Sequence, residues 1–459
     1  MELFAPENSR PIHFMGIAGA GMGALALVAR HRGVAITGSD IDPTNAADLI
    51  EAGVDVYTGH DPAHIRDARA VIYTSAVDPE HPVLEAAAAA GIPTLKRAEA
   101  LRLLLGDAVV VGVAGTHGKT TTTAMVAESL AAAGRDPTGI VGGRVDAWHG
   151  NARLGSSQLF VVEADEYDRS FLSLDPTVAV VNNVEAEHME CYGSLEALEG
   201  AFVEFAGRAD RVLVGADDPG AMRVAEQVDV PVWRVGMAGD ADVRLSDVLH
   251  ETETSTARLH VPDGRSVALK LHVPGGHNLR NAAMAVAVAA ALDADIYQAA
   301  QALATFGGVG RRFEILGTKQ GVTVVDDYAH HATEVAATIE AARQRFPTAR
   351  VIVAFQPHLY SRTKRQSEAM GQALAAADEV VITDVYPARE QPIPNVTGKL
   401  VVDAAERAGA SVTWIQNRDD LTNHLVGIVR SGDAVLTLGA GDITRVAGEL
   451  FDRLADAAA

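Results

Sequence analysis

An apolar strand that runs into a glycine loop and leaves it as a helix is compatible with few folds. Residues 109–123 have that form, reading Val109-Val-Val-Gly112-Val-Ala-Gly115-Thr-His-Gly118-Lys119-Thr120-Thr121-Thr122-Thr123. Glycines let backbone N–H groups turn inward on phosphate oxygens, Lys119 can reach the β- and γ-phosphates, and the Thr120 hydroxyl can ligate Mg²⁺. The common phosphate-loop spacing puts a glycine where this chain has Val113, so the loop is a variant. A glycine turn with an exposed lysine is the plainer account. It explains neither the Gly-Lys-Thr run at a strand-to-helix junction nor the scarcity of lysine, which otherwise occurs only at positions 96, 270, 319, 364 and 399.

Short apolar runs alternate with alanine-rich helical stretches along the whole chain, the signature of α/β architecture with parallel sheets. At 459 residues the chain exceeds one core, and a prior of roughly 150 residues per domain suggests about three. Residues 1–107 read as a Rossmann-like domain, with strands expected at 12–15, 34–37 and 71–74. Residues 108–310 read as a central, P-loop ATPase-like parallel-sheet domain, with strands at 109–113, 159–163, 178–182 and 212–214 and a hairpin near 257–273. Residues 311–459 read as a second Rossmann-like domain, with strands at 322–325, 351–355, 380–383 and 434–438.

The formal charge of −22 argues against a nucleic-acid partner, which needs a basic stripe. No apolar stretch approaches the ~20 residues of a membrane span, and the first residues lack the basic-then-apolar order of a secretion signal. A cytoplasmic protein without a membrane partner is therefore expected. Cys191 is the only cysteine, which excludes an internal disulfide and a thiolate metal cluster.

Other candidate residues cluster after apolar strands, where open α/β sheets bind ligands. Gly16-Ile-Ala-Gly19-Ala-Gly21-Met22-Gly23 follows the first strand and opens a helix, a form that suits NAD, FAD or a nucleotide sugar equally. Asp40 stands where a ribose-binding acid belongs. Glu163-Ala-Asp165-Glu166 ends another strand, and Glu163 is the expected Mg²⁺ ligand. His188 in Asn182-Asn183-Val-Glu185-Ala-Glu187-His188 is a candidate for a second ion; a satisfied structural histidine is the competing reading. Asn281 or His277 could read an adenine edge, with Asn278 as a helix cap instead. Asp326-Asp327-Tyr328-Ala-His330-His331 and Gln356-Pro-His358-Leu359-Tyr360-Ser361-Arg362 carry hydrogen-bonding and cationic groups without a phosphate loop, which suggests a second substrate.

Taken together, the 115–120 loop, the Glu163 strand end, the segment 185–188, His277 to Asn281 and Arg311-Arg312-Phe313 resemble the Mur ligase family of bacterial cell-wall synthesis, over essentially the whole chain. The resemblance implies a first domain that binds UDP-N-acetylmuramate through Gly16, Ala18, Gly19, Ala20, Gly21, Met22, Ser39, Asp40 and Ser75. It implies ATP held by Gly115, Thr116, His117, Gly118, Lys119, Thr120 and Thr121, with His277 and Asn281 at adenine, Asp327 at the ribose and Arg311 or Arg312 at the phosphates. Thr120, Glu163 and His188 would hold two Mg²⁺ ions, with Lys119, Glu163 and His188 as the catalytic set. Tyr328, His330 and Arg362 would bind L-alanine in a monomer or weak homodimer. Related ligases often carry an arginine after the histidine of the Gln-Pro-His segment; here that position is Leu359, so either Arg362 alone would hold the carboxylate or another arginine substitutes.

The implied reaction is carboxylate activation by ATP through an acyl phosphate, followed by attack of the alanine amine. A tripeptide-recycling ligase of the same family is the nearest alternative. A slow nucleotide-hydrolysing regulator needs fewer polar groups at the sheet ends, and a dinucleotide-dependent dehydrogenase leaves Lys119 and Thr120 unexplained.

Overall fold

The computed structural model describes residues 3–74 and 76–456. Three sheets carry the chain. The first has five parallel strands in the order Asp55–Thr58, Ile36–Asp40, Ile12–Met15, Ala70–Tyr73, Thr94–Lys96. The strand order reverses direction at Ile12–Met15, and such a switch opens a crevice at the carboxyl ends of the strands. Register sets Met15 beside both Ser39 and Tyr73, so residues 16–22, Ser39 and Asp40 reach one edge.

The second sheet has ten strands, with Val109–Ala114 between Leu159–Glu163 and Val178–Val181. Val113 pairs with Glu163 and Ala114 with Val181, so the glycine loop, Glu163 and Asn182 leave the sheet at one edge as expected. Beyond them lie a hairpin of Thr138–Val145 and Gly150–Arg153 on one side and, on the other, strands that include Arg211–Gly215 and Val232–Gly236. The third sheet runs Glu314–Lys319, Val322–Asp327, Asp433–Leu438, Arg350–Phe355, Glu379–Ile382, Val412–Trp414. It is parallel except for its first, antiparallel edge strand.

The chain forms two compact units. One runs to Asp247 and adds Ala257–Leu269 and Arg280–Phe306; the other holds Val248–Thr256, Lys270–Leu279 and the chain from Gly307. In the first unit a single apolar core joins the first two sheets, from Phe14 and Leu25 to Phe160, Phe202 and Phe205. Helix Ala20–His31 packs on the Thr138–Val145 hairpin, and the Arg32 guanidinium lies 4.4 Å over the Phe160 ring. Burying a phenylalanine such as Phe160 stabilises by ~1.5–3 kcal/mol, so this shared core holds the two glycine loops in fixed relation. In the second unit, separate apolar clusters cover the two faces of the third sheet.

Candidate functional site

In the first sheet the chain turns at Gly16, whose φ of +77° favours glycine. Helix Ala20–His31 then starts with no side-chain cap and no acid in its first turn, an arrangement suited to an anion. The Ser39 carbonyl accepts from the Gly16 and Ile17 amides at 2.8 and 3.2 Å. Asp40 Oδ2 accepts from the Ala18 amide at 2.9 Å, so this acid braces the loop from the next strand. The Ser39 hydroxyl lies 3.0 Å from His13 Nε2 and 2.8 Å from His60 Nδ1. Burial, reinforced by the nearby His64 and His60, lowers the His13 pKa to about 4, so that ring is neutral at pH 7. Neither histidine was marked by a sequence motif. Ser75, expected at this site, lies outside the described residues.

Gly16, Gly19 and Gly21 line a cavity of about 260 Å³ whose far wall carries Glu163 and Asp165 of the second sheet. The Gly16 loop and the carboxylates expected at the phosphate-transfer site therefore open on one space.

The phosphate loop is shorter than the glycine pattern suggests. Gly112 and Val113 belong to strand Val109–Ala114, and a Cβ at Gly112 would lie 3.0 Å from the Phe205 ring. That glycine makes room for packing. The turn itself uses Gly115 and Gly118, with φ of +140° and +76°. The strand end at 182–185 holds it in place. Thr116 N donates to the Asn183 carbonyl at 3.0 Å, His117 N to Asn183 Oδ1 at 2.7 Å, and Glu185 N to Thr116 Oγ1 at 2.9 Å. His117 Nε2 is 3.3 Å from Glu185 Oε2, and Asn182 Nδ2 donates to Thr122 Oγ1 at 2.9 Å. Asn281 also comes to the loop: a Cβ on Gly118 would lie 3.0 Å from its Oδ1. His277 stands one turn earlier on the same helix, Gly276–Ala291.

Lys119 and Thr120 begin helix Lys119–Ala132, which has no side-chain cap and no acid in its first turn. Thr121 follows them, and its amide belongs to that same open turn. Lys119 Nζ donates to the Gly115 and Thr116 carbonyls at 2.7 and 3.2 Å and reaches both Glu166 oxygens at 3.0 and 2.9 Å. Burial alone would depress the Lys119 pKa, but Glu166, Asp165 and Glu163 outweigh it and hold the ammonium charged. Burial pushes Glu166 upward while Lys119 opposes; two short contacts to one ammonium make the ionised carboxylate the form that fits. The Tyr192 hydroxyl donates to the Glu166 carbonyl at 2.6 Å and fixes that turn from below.

The Thr120 hydroxyl donates to Glu163 Oε1 at 3.0 Å, and Glu163 Oε2 accepts from Gly142 N at 2.5 Å. His188 stands instead with Asp165 and Glu166, whose ligand atoms lie within 4.8 Å of one another. The sequence reading singled out Glu163 and His188 but missed Asp165 and Glu166 as their companions and Asn182 and Asn183 as the loop's support. Both pairs lay inside the quoted strand-end segments.

In the second unit Arg311 is knitted into the fold. Its Nε donates to Asp326 Oδ2 at 3.2 Å and its Nη2 to the Gly439 carbonyl at 2.7 Å. Arg311 and Arg312 both lie over the Tyr328 ring, at 4.9 and 4.8 Å, a cation–π clamp. Asp327 is buried, and its two oxygens accept from Phe313 N and Ala329 N, both at 2.7 Å. Burial raises its pKa to about 6, against the pull of Arg312 and the two amides.

His330 Nδ1 lies 2.9 Å from the Tyr328 carbonyl, which fixes the proton on that nitrogen. Its ring meets His358 at 5.7 Å, and His358 stacks on Tyr386 at 5.7 Å. His358 Nδ1 faces Arg362 Nη1 at 3.1 Å and therefore accepts. Tyr328, His330 and Arg362 thus share one neighbourhood, with His358 as the member the sequence reading left without a role. Leu359 is buried at a φ of +67°, where it caps helix Tyr360–Leu374 as packing.

A phosphate loop whose lysine and threonine face carboxylates, opening toward a second glycine loop, is the equipment of an α/β enzyme that works on nucleotides. Comparison with known proteins narrows the class. Three family models match in order: the Mur ligase family catalytic domain over residues 11–108, the Mur ligase middle domain over 113–289 and the Mur ligase glutamate ligase domain over 311–441. The chain is 45% identical over 456 residues to a UDP-N-acetylmuramate–L-alanine ligase of Kineococcus radiotolerans, covering 97% of this chain and 96% of that one. It is 42% identical over 451 residues to the enzyme of that name from Salinibacter ruber, covering 97% and 95%. Among solved structures, the UDP-N-acetylmuramate-alanine ligase of Thermotoga maritima superposes with a TM-score of 0.82 at 31% identity, covering 97% and 99% of the two chains. A murein peptide ligase from Psychrobacter arcticus gives 0.72 at 26% identity, covering 96% and 98%. The chain belongs to the Mur ligase family.

Proposed function

We propose that this protein joins L-alanine to the lactyl carboxylate of UDP-N-acetylmuramate at the expense of ATP, giving UDP-N-acetylmuramoyl-L-alanine, ADP and phosphate. The observation that carries this reading is the cavity that joins the Gly16 loop to Glu163 and Asp165, because a substrate anchored at one end presents its carboxylate at the other. The full-length identity of 41–45% to ligases of that name supports the choice of substrates.

Carboxylates are poor acyl donors until an oxygen becomes a leaving group. The substrate carboxylate attacks the γ-phosphate, ADP departs, and the alanine amine then displaces phosphate from the acyl phosphate. Lys119 and the open amides of helix Lys119–Ala132 offset repulsion between carboxylate and triphosphate. Asn281 and His277 take the adenine end, Arg312 a phosphate and Asp327 the ribose side; Arg311 orients Tyr328. Arg362, held by His358, takes the alanine carboxylate beside Tyr328 and His330. The donors suit Mg²⁺: Thr120 and Glu163 offer hard oxygens, and His188 Nε2 lies 3.8 Å from Glu166 Oε1, in the same group of candidate ligands as Asp165. We assign Thr120 and Glu163 to one ion and His188 with Asp165 to a second. Such ions neutralise phosphate charge when bound.

The test is phosphate release from ATP and UDP-N-acetylmuramate with L-alanine, L-serine, glycine and the tripeptide supplied in turn. Release that depends on L-alanine is the expected result. Release without any amine overturns the ligase reading, and release with the tripeptide alone moves the amine specificity to that of the peptide ligases.

A further inference from the structure

In the second unit one side chain holds two loops at once. Gln344 lies in the last turn of helix Ala332–Arg345, and no motif in the sequence marks it. Its Nε2 donates to the Glu251 carbonyl and to Ser255 Oγ, both at 2.9 Å, and its Oε1 accepts from Gly275 N at 2.9 Å. Both N–H groups and the acceptor oxygen are in use, which fixes the orientation of the amide. Glu251 and Ser255 bound the turn between strands Val243–His250 and Ser255–His260, and the buried Ser255 hydroxyl also lies 2.9 Å from His250 Nδ1. Gly275, at a φ of +95°, stands immediately before helix Gly276–Ala291, which presents His277 in its first turn and carries Asn281 further along. A Cβ on Gly275 would lie 3.3 Å from Ala341 Cβ, so this turn sits tight against the helix that carries Gln344. Gln344, the 251–255 turn, Gly275 and His277 all belong to the second unit. Two successive glycines give the chain before His277 wide backbone freedom. The Gly275 amide donates outside its own segment, to Gln344, and that bond pins the stretch.

We infer that Gln344 is a positioning residue for the nucleotide base: its bond to the Gly275 amide sets where helix Gly276–Ala291 begins, and with it where His277 presents its ring. The inference rests on the adenine role proposed above for His277 and Asn281, and adds to it a residue that tunes base selectivity by acting through His277. Loss of the amide frees the two-glycine stretch, so contacts to the adenine edge weaken while the proposed triphosphate contacts of Lys119 and its helix amides stay. The other end of the same helix serves the amino-acid segment, where Glu334 Oε2 accepts from His330 N at 3.0 Å, so the two substrates must be read separately.

The experiment measures kcat and KM for ATP, for ITP, which has oxygen in place of the adenine amino group, and for L-alanine, in the full-length protein and its Gln344→Met, Gln344→Glu and Ser255→Ala variants. Methionine keeps the length of the side chain and removes all three hydrogen bonds; glutamate keeps an acceptor for Gly275 N and can accept from the Ser255 hydroxyl. The expected result is a KM for ATP raised by roughly 10-fold in Gln344→Met, the scale of one hydrogen bond, with partial recovery in Gln344→Glu. The KM for ITP, the KM for L-alanine and kcat stay at their wild-type values, as does every constant of Ser255→Ala, so the preference for ATP over ITP falls only where the Gly275 bond is lost. An unchanged KM for ATP overturns the assignment. Equal rises for ATP and ITP overturn it as well, because they mark Gln344 as a support of the fold. A raised KM for L-alanine alone moves Gln344 to the amino-acid end of its helix, and an effect of Ser255→Ala as large as that of Gln344→Met moves it to the 251–255 turn; both refute the Gly275 route. A wild-type protein with equal KM for ATP and ITP sinks the adenine reading itself, and the inference with it, whatever the variants show.

Discussion

The buried pair Lys119–Glu166 gives a stability prediction that can be worked through. The ammonium is 2.9 Å from Glu166 Oε2, and the side chains are 14% and 1% exposed. At an effective dielectric of about 20, unit charges at that distance attract by roughly 6 kcal/mol. Desolvation of both groups takes back much of this, so the pair is worth less than its Coulomb energy, while removing one partner still costs ~3–5 kcal/mol. Glu166→Gln should fall at the low end, about 3 kcal/mol, because Asp165 and Glu163 still face the ammonium and the loop carbonyls of Gly115 and Thr116 still accept from it. Lys119→Met should cost less, roughly 2 kcal/mol at pH 7. It leaves a carboxylate that burial already pushes toward protonation, and taking up a proton relieves the unpaired charge. The double variant should then cost about 3 kcal/mol, no more than Glu166→Gln alone, because the two single costs overlap by a coupling energy of about 2 kcal/mol. The assay is urea unfolding of the nucleotide-free protein in a Trp414→Phe background, where the remaining Trp148 and Trp233 report the first unit. Costs that add within about 0.5 kcal/mol, or a Glu166→Gln cost below about 1 kcal/mol, would refute the reasoning.

Two further titrations should give slopes of opposite sign in the two units. His13 has a folded pKa lowered to about 4, so the unfolded chain binds the extra proton below about 6.5 and first-unit stability falls as pH drops. Between pH 7 and 5 the loss is roughly 2 kcal/mol, and His13→Gln should flatten it; an unchanged slope would assign the acid sensitivity elsewhere. Asp327 has a folded pKa raised to about 6, so the folded state holds the proton more tightly and second-unit stability falls as pH rises from 4 toward 7, by roughly 2–3 kcal/mol. Trp414 fluorescence reads that unit, and a slope retained in Asp327→Asn would refute the attribution. At the proposed amino-acid site, Arg362→Ala should raise the KM for L-alanine by roughly 100-fold with little change for ATP, and His358→Ala by about 10-fold through loss of the contact that orients Arg362. Equal effects on ATP would remove both residues from the alanine site.

The parts of this molecule that were legible in the sequence are those governed by local chain direction. Glycine loops after apolar strands, and polar segments at strand ends such as 163–166, 182–188, 326–331 and 356–362, announce themselves because a parallel sheet delivers successive strand ends to one edge. The missed elements had weak local signals. The strand Glu314–Lys319 carries a bulge between Ile315 and Gly317, Val412–Trp414 spans three residues, and Thr138–Val145 is interrupted by Gly139, Gly142 and Gly143. Side chains that act across the fold were equally invisible. Asn183 reaches the His117 amide and Arg97 reaches Gly21 only once separate strands and helices are in register. Gly112 shows the limit from the other side: the residue type is plain, but whether it serves a turn or makes room for Phe205 depends on a helix far along the chain.

These long-range contacts change what nucleotide binding must accomplish. A glycine loop read from sequence suggests an open nest of donors waiting for phosphate. Here the His117 amide already donates to Asn183 Oδ1, and the Lys119 ammonium already has Gly115, Thr116 and Glu166 for its three protons. Thr120 and Glu163 likewise satisfy each other. On the proposed reading, phosphate enters by exchange, in which Lys119 turns from Glu166 and Glu163 turns from Thr120. The net gain is the difference between two sets of charge-assisted bonds and is smaller than the sum of the new ones. Only the open amides at the start of helix Lys119–Ala132 are added without loss. The carboxylates released in the exchange are those best placed to hold cations beside the phosphates, so nucleotide and metal should bind with positive coupling, and a nucleotide titrated without metal should bind weakly. Equal ATP-analogue affinity with and without Mg²⁺, measured on the full-length protein, would show that no such exchange takes place.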